Sequence, residues 1–75
     1  MNRAGFERFK REVQIGDYVE FEYDTPFGRR EPRGYVSGIG RFIVNISTNA
    51  AEGRRADDGL LYLWIKNYLI ASPPK

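Results

Sequence analysis

Between Tyr18 and Tyr23 the side chains alternate without a fault: Val19, Phe21 and Tyr23 fall on one side, Tyr18, Glu20 and Glu22 on the other. A period of two marks a strand with one buried face. The signal recurs in short pieces. Arg33 to Ile39 sets Gly34, Val36 and Gly38 against Tyr35, Ser37 and Ile39. Phe42 to Ser47 sets Phe42, Val44 and Ile46 against Ile43, Asn45 and Ser47. Leu60 to Ile65 and Tyr68 to Ala71 complete the series, with Lys66-Asn67 as the turn between them, since Asn tolerates positive φ. Pro and Gly punctuate Asp24 to Pro32, and Gly40-Arg41 makes a tight join. Thr48 to Gly59 reads as a polar loop, long beside the roughly 2–5 residues of an ordinary hairpin loop.

Ahead of the strands, Phe6, Phe9 and Val13 lie at i, i+3 and i+7 and predict a short helix over residues 5–13. Lys10 and Arg11 near its end suit the helix dipole. So short a helix is unstable alone, so its stripe must pack on the sheet, at an open end of a barrel. The expectation is an all-β domain spanning residues 1–75: a small five-stranded barrel with a short N-terminal helix. A small bent barrel fits so short a chain better than a sandwich, and it removes most open edges. Gly34 and Gly38, four apart on one face, allow the bend.

Composition narrows the function classes. The 75 residues are 41% apolar and 15% aromatic, enough for one core but not for a deep enzyme pocket. There is no Cys and no His, which excludes Cys/His zinc sites and His-based catalysis and favours an intracellular, cytoplasmic setting over a disulfide-rich secreted one. No cofactor motif is present. The longest apolar run, Leu60 to Ile65, is far below the roughly 20 residues of a membrane helix, and residues 1–12 lack the apolar stretch of a signal peptide.

The closing segment, Leu61-Tyr62-Leu63-Trp64-Ile65-Lys66-Asn67-Tyr68-Leu69-Ile70, resembles the second motif of the Sm-like (LSm/Hfq-type) family of small RNA-associated barrels. Lys66 stands at the basic position of that motif and Asn67 where the family has Gly. Gly34, Val36 and Asn45 are similar to parts of the first motif, whose acidic position is missing. The resemblance implies a helix followed by an SH3-like five-stranded barrel. It also implies a ring in which the fourth strand of one subunit pairs with the fifth of the next. Single-stranded RNA would then bind near the pore through Arg41, Phe42, Asn45 and Lys66.

Charge points the same way. The net charge of +2 is modest, but residues 1–11 sum to +3, 12–24 to −5 and 25–41 to +3. Basic side chains neutralise phosphates and aromatic faces stack bases. The candidate contacts are Arg29, Arg30, Arg33, Arg41, Phe42, Asn45, Arg54, Arg55 and Lys66, with Phe27, Tyr35, Tyr62 and Trp64 as stacking or interface residues. The expected partner is nucleic acid, RNA ahead of DNA, with a homo-oligomer formed by edge-strand pairing. The alternative is a protein-interaction module of SH3-like type, recognising its partner through Tyr18, Glu20 and Glu22. Trp64 is either covered by the helix or exposed with Tyr62. An enzyme is not expected: Glu20 and Glu22 are about 7 Å apart by strand geometry, but no burying context surrounds them.

Overall fold

A computed structural model describes residues 1–49 and 55–73. Helix α1 runs Arg3–Glu12, followed by strands β1 (Tyr18–Thr25), β2 (Gly28–Arg30), β3 (Arg33–Ile39), β4 (Ile43–Asn49), β5 (Arg55–Leu61) and β6 (Ile65–Ile70). A single 3-10 turn, Tyr62–Trp64, joins β5 to β6. All strand pairs are antiparallel. The sheet order is β2-β1-β3-β4-β5, with β6 on β1. Val19 and Glu20 pair with both β3 and β6, and Tyr23 with both β2 and β6, so β2 and β3 share one edge of β1 and β6 holds the other. The result is a curled half-barrel, all-β apart from α1.

The alternation at Tyr18 to Tyr23 is the frame of this core: Val19, Phe21 and Tyr23 are buried. Val36, Val44, Ile46, Leu60 and Ile65 join them from the other strands. Helix α1 lays Phe6, Phe9 and Val13 over this concave face. Asn2 caps it, its side-chain oxygen accepting from the Gly5 amide at 2.8 Å, which satisfies one of the free N–H groups of the first turn. Gly16 turns the chain into β1 at φ +98°, a conformation that favours glycine, and its amide donates to the Val36 carbonyl at 2.8 Å.

Several boundaries differ from those read in the sequence. The segment Asp24 to Pro32 contains a short strand of its own, β2. Strand β5 starts at Arg55, not Leu60, because Ala56 to Gly59 pair with β4 through their backbones whatever their side chains. The polar loop is thereby shortened, and residues 50–54 lie outside the described residues. The last turn falls at Tyr62–Trp64, not at Lys66-Asn67, which lie within β6. Ile39, expected on the face opposite Val36, packs against the core. The cause is a bulge: Val36 pairs with Ile46 and Gly38 with Asn45, leaving Ser37 as an extra residue that reverses the alternation beyond it.

Two side-chain links span the gap between the β1–β2 hairpin and β5, where no ladder runs. The Leu61 amide donates to the Tyr23 hydroxyl at 3.0 Å. Arg30, paired with Tyr23 in register, reaches Asp58 at 2.7 Å.

Candidate functional site

The cations singled out in the sequence do not converge. Arg29 lies 3.6 Å from Glu22 and 3.7 Å from Glu31, Arg33 lies 3.8 Å from Glu20, and Lys66 lies 3.9 Å from Asp24. These pairs interleave over the convex face of β1 and its neighbours. Of these residues, Glu20, Glu22, Glu31 and Arg33 line a groove of about 620 Å³ with Asn67 and Leu69. Arg30 is drawn to the Asp58 clasp instead. Arg54 lies outside the described residues, and Arg55 opens β5.

The aromatic candidates also separate. Tyr35 packs edge-on against Tyr18 across the strand pair, at 5.3 Å. Trp64 meets Tyr23 edge-on at 6.1 Å, so it is not the residue that α1 covers. That residue is Tyr62, whose ring stacks on Phe6 at 4.7 Å and 8°. Phe27 stands at the tip of the β1–β2 hairpin. Asn45 is exposed on β4, between Gly38 on one neighbouring strand and Gly59 on the other.

Two candidates do come together, Phe42 and Tyr62, with Arg41 next to Phe42 in the chain. Phe42 lies near-parallel to Tyr62, at 6.4 Å and 19°. Phe6, Tyr62 and Phe42 therefore form a run of rings from the core outward, with Phe6 fully buried and Phe42 55% exposed. Two backbone features hold it. The Tyr62 amide donates to the Phe42 carbonyl at 3.0 Å, and the Met1 ammonium donates to the carbonyls of Tyr62 and Ile65. Burial pulls the pKa of that ammonium down.

Helix α1 adds two cations that the sequence reading had assigned only to a helix end or a charge block. The Arg3 guanidinium donates to the Arg41 carbonyl at 2.9 Å. It sits 5.9 Å from the Phe6 centroid and 5.8 Å from that of Tyr62. Equidistant from two near-parallel rings, it lies at their rim rather than over either face, so little cation–π energy is expected. Lys10 lies 5.1 Å from the Phe6 ring and 2.9 Å from Glu7. The hydrogen bond from Lys10 holds the Glu7 carboxyl below its ordinary pKa, against the opposing effect of desolvation and with the charges of Lys10, Arg3 and Arg11 adding to it.

The 55 residues between Phe6 and Tyr62 explain why the assembly is not legible in the sequence alone. Phe6 was legible as core, and Arg3 as charge, but nothing local joins them to Tyr62.

The site is chemically a platform: an exposed aromatic ring on a stack that runs into the core, with the Arg3 guanidinium beside its inner rings. Among the described residues no group of His, Cys, Asp and Glu is arranged to hold a metal ion, and no helix is long and apolar enough to cross a membrane. Comparisons with protein-family models, with curated proteins and with solved structures found no match.

Proposed function

We propose that this domain binds single-stranded nucleic acid, RNA ahead of DNA, by stacking a base on Phe42 while Arg41 and Arg3 take the adjoining phosphates. The observation that carries this reading is the ring run Phe6–Tyr62–Phe42, anchored in the core and open at its outer end, with Arg3 bonded to the carbonyl of Arg41, the residue before Phe42. A ring already held in place loses little freedom on binding, and its flat face accepts any base. Arg41 makes no ion pair among the described residues, so its guanidinium is available to an anion. The test is titration of labelled single-stranded RNA and DNA at two salt concentrations. Binding should weaken with salt. Phe42→Ala should weaken it by about 1–3 kcal/mol. Absence of binding at low salt removes the proposal.

A second reading concerns assembly. Apart from the Leu61–Tyr23 bond, the outer edge of β5 and the outer edge of β6 pair with no strand among the described residues. Leu69 and Ile70 are exposed on the second of these, and Leu63 on the turn before it. Open edges flanked by apolar side chains favour strand addition, which supports a homo-oligomer of the kind the Sm-like resemblance implies. The displaced last turn counts against a strict match to that family's second motif, since Lys66 and Asn67 are strand residues here. Sedimentation at micromolar concentration separates the cases: a species of 8.7 kDa alone rules assembly out.

A further inference from the structure

The cations of the sheet face are matched by carboxylates: Arg29, Arg33 and Lys66 stand among Glu20, Glu22, Asp24 and Glu31. The flank of α1 beside the ring run has the opposite balance. There Arg3, Lys10 and Arg11 share one carboxylate, Glu7, and the charges of all three act on it. Spacings of three and four residues bring these side chains together on a helix. Glu7 lies 3.5 Å from Arg3 and 2.9 Å from Lys10, and Arg11 makes no ion pair among the described residues. The other carboxylate of the helix, Glu12, is engaged elsewhere, accepting from the Tyr68 hydroxyl at 2.6 Å.

The same cations follow the rings. Arg3 lies beside Phe6 and Tyr62 and donates to the Arg41 carbonyl, and Lys10 lies 5.1 Å from the Phe6 centroid. A strand stacked on Phe42 therefore runs beside cations that already hold an anion. Carboxylate and phosphate oxygens accept from the same guanidinium and ammonium donors, so the two compete. Glu7 is exposed, and exposed ion pairs are weak, so it is readily displaced.

We infer that Glu7 is an internal competitor for the phosphate backbone: in the free protein it holds Arg3 and Lys10, and a strand stacked on Phe42 displaces it, with Arg11 as a third cation on the same flank. This rests on the nucleic-acid reading above and names the group that holds its affinity down. Phosphate contacts carry no base identity, so Glu7 lowers affinity for every sequence alike.

The experiment uses the whole chain and a mixed-sequence RNA of about 16 nucleotides, titrated at two salt concentrations. Glu7→Gln should tighten binding by about threefold, a small gain because each exposed pair is weak. It should also lower the thermal midpoint slightly, since α1 loses its pairs to Arg3 and Lys10. A carboxylate that served only the helix would lower stability and leave binding alone. Lys10→Gln should weaken binding and reduce the salt slope by about 0.7, the value for one phosphate contact on a single strand. Lys10→Arg should retain both. Glu31→Gln makes the same change of net charge on the sheet face and should alter affinity by less than about twofold. The inference is overturned by Glu7→Gln binding no tighter than the parent, by Glu31→Gln tightening it equally, or by a Lys10→Gln salt slope equal to the parent's. If Phe42→Ala still weakens binding in that case, the platform reading survives alone. Tighter binding by Glu7→Gln with no effect of Phe42→Ala keeps Glu7 as the competitor and overturns stacking on Phe42. A parent chain that binds no RNA at low salt removes both.

Discussion

Replacing Tyr23 by Phe removes one oxygen atom and leaves the ring in place. The magnitude follows from the position of that oxygen. The Tyr23 side chain is buried, and its hydroxyl accepts from the Leu61 amide across the gap between β1 and β5. Tyr23→Phe strands that amide at a half-buried site, a loss of about 1–3 kcal/mol, above the roughly 1 kcal/mol of an ordinary exchanged hydrogen bond. A 75-residue domain is stable by about 4–11 kcal/mol. The variant therefore folds, but with a visible deficit. With a urea slope of about 1 kcal/mol/M, the midpoint should fall by about 1–3 M at unchanged slope. The thermal midpoint should fall by about 4–8 °C for each kcal/mol lost. Asp58→Asn weakens the neighbouring clasp with Arg30, whose partly exposed pair contributes at most about 1 kcal/mol and less in high salt. The two clasps span the same opening, so a double-mutant cycle should show coupling of at least about 0.5 kcal/mol. A urea midpoint for Tyr23→Phe within about 0.3 M of the parent would refute the idea that this hydroxyl helps to close the half-barrel.

Phe6→Ala should be far more damaging, costing about 3–5 kcal/mol through the cavity it leaves beneath Tyr62, whereas Phe6→Leu should cost less than about 1.5 kcal/mol; urea unfolding distinguishes them. Tyr68 donates from its hydroxyl to Glu12 at 2.6 Å, and burial followed by that bond pushes its pKa up to about 12 from an ordinary 10.0. Because the folded pKa is raised, the stabilisation is complete below pH 10 and is lost as pH rises toward 12. Titration of Tyr68 followed by its own ring resonances should show it ionising late, and Glu12→Gln should bring it earlier; a Tyr68 that ionises near its ordinary 10.0 would contradict this. Gly16→Ala should cost about 1–2 kcal/mol, because no neighbour crowds the position but its φ is unfavourable to an L side chain. Thermal melts would reveal it.

The parts of this fold that were legible in the sequence are those where burial decides the pattern. Val19, Phe21 and Tyr23, and the stripe Phe6, Phe9 and Val13, are core in the structure as the periodicity predicts. The failures share a physical cause. At Ser37 a single extra residue reverses the faces, and no local preference announces it. Arg55 to Gly59 form a strand because β4 supplies a ladder, not because their side chains favour one. From Leu60 to Ile65 every residue is apolar, so a change of direction at Tyr62–Trp64 leaves no trace in the pattern. The candidate site was half legible: Arg41, Phe42 and Tyr62 were readable as basic and aromatic, but Arg3 and Phe6 join them only through the docking of α1.

The ladder between β1 and β6 has a consequence for the order in which the chain organises. It joins Val19 to Ile70, whereas β3 pairs with β4 and β4 with β5, each with its immediate successor. Closing a long loop costs more chain entropy than closing a short one, so the β3–β4–β5 meander should form in the folding nucleus and the last strand should dock late. Ile46 in the meander and Ile65 in the last strand are both fully buried, which makes them matched probes. Ile46→Val should slow folding, while Ile65→Val should chiefly speed unfolding. Until the last strand docks, β1 lacks a neighbour on one edge and α1 lacks Tyr62 and Tyr68 to rest on, so the platform at Phe42 is the last part of the molecule to come into being.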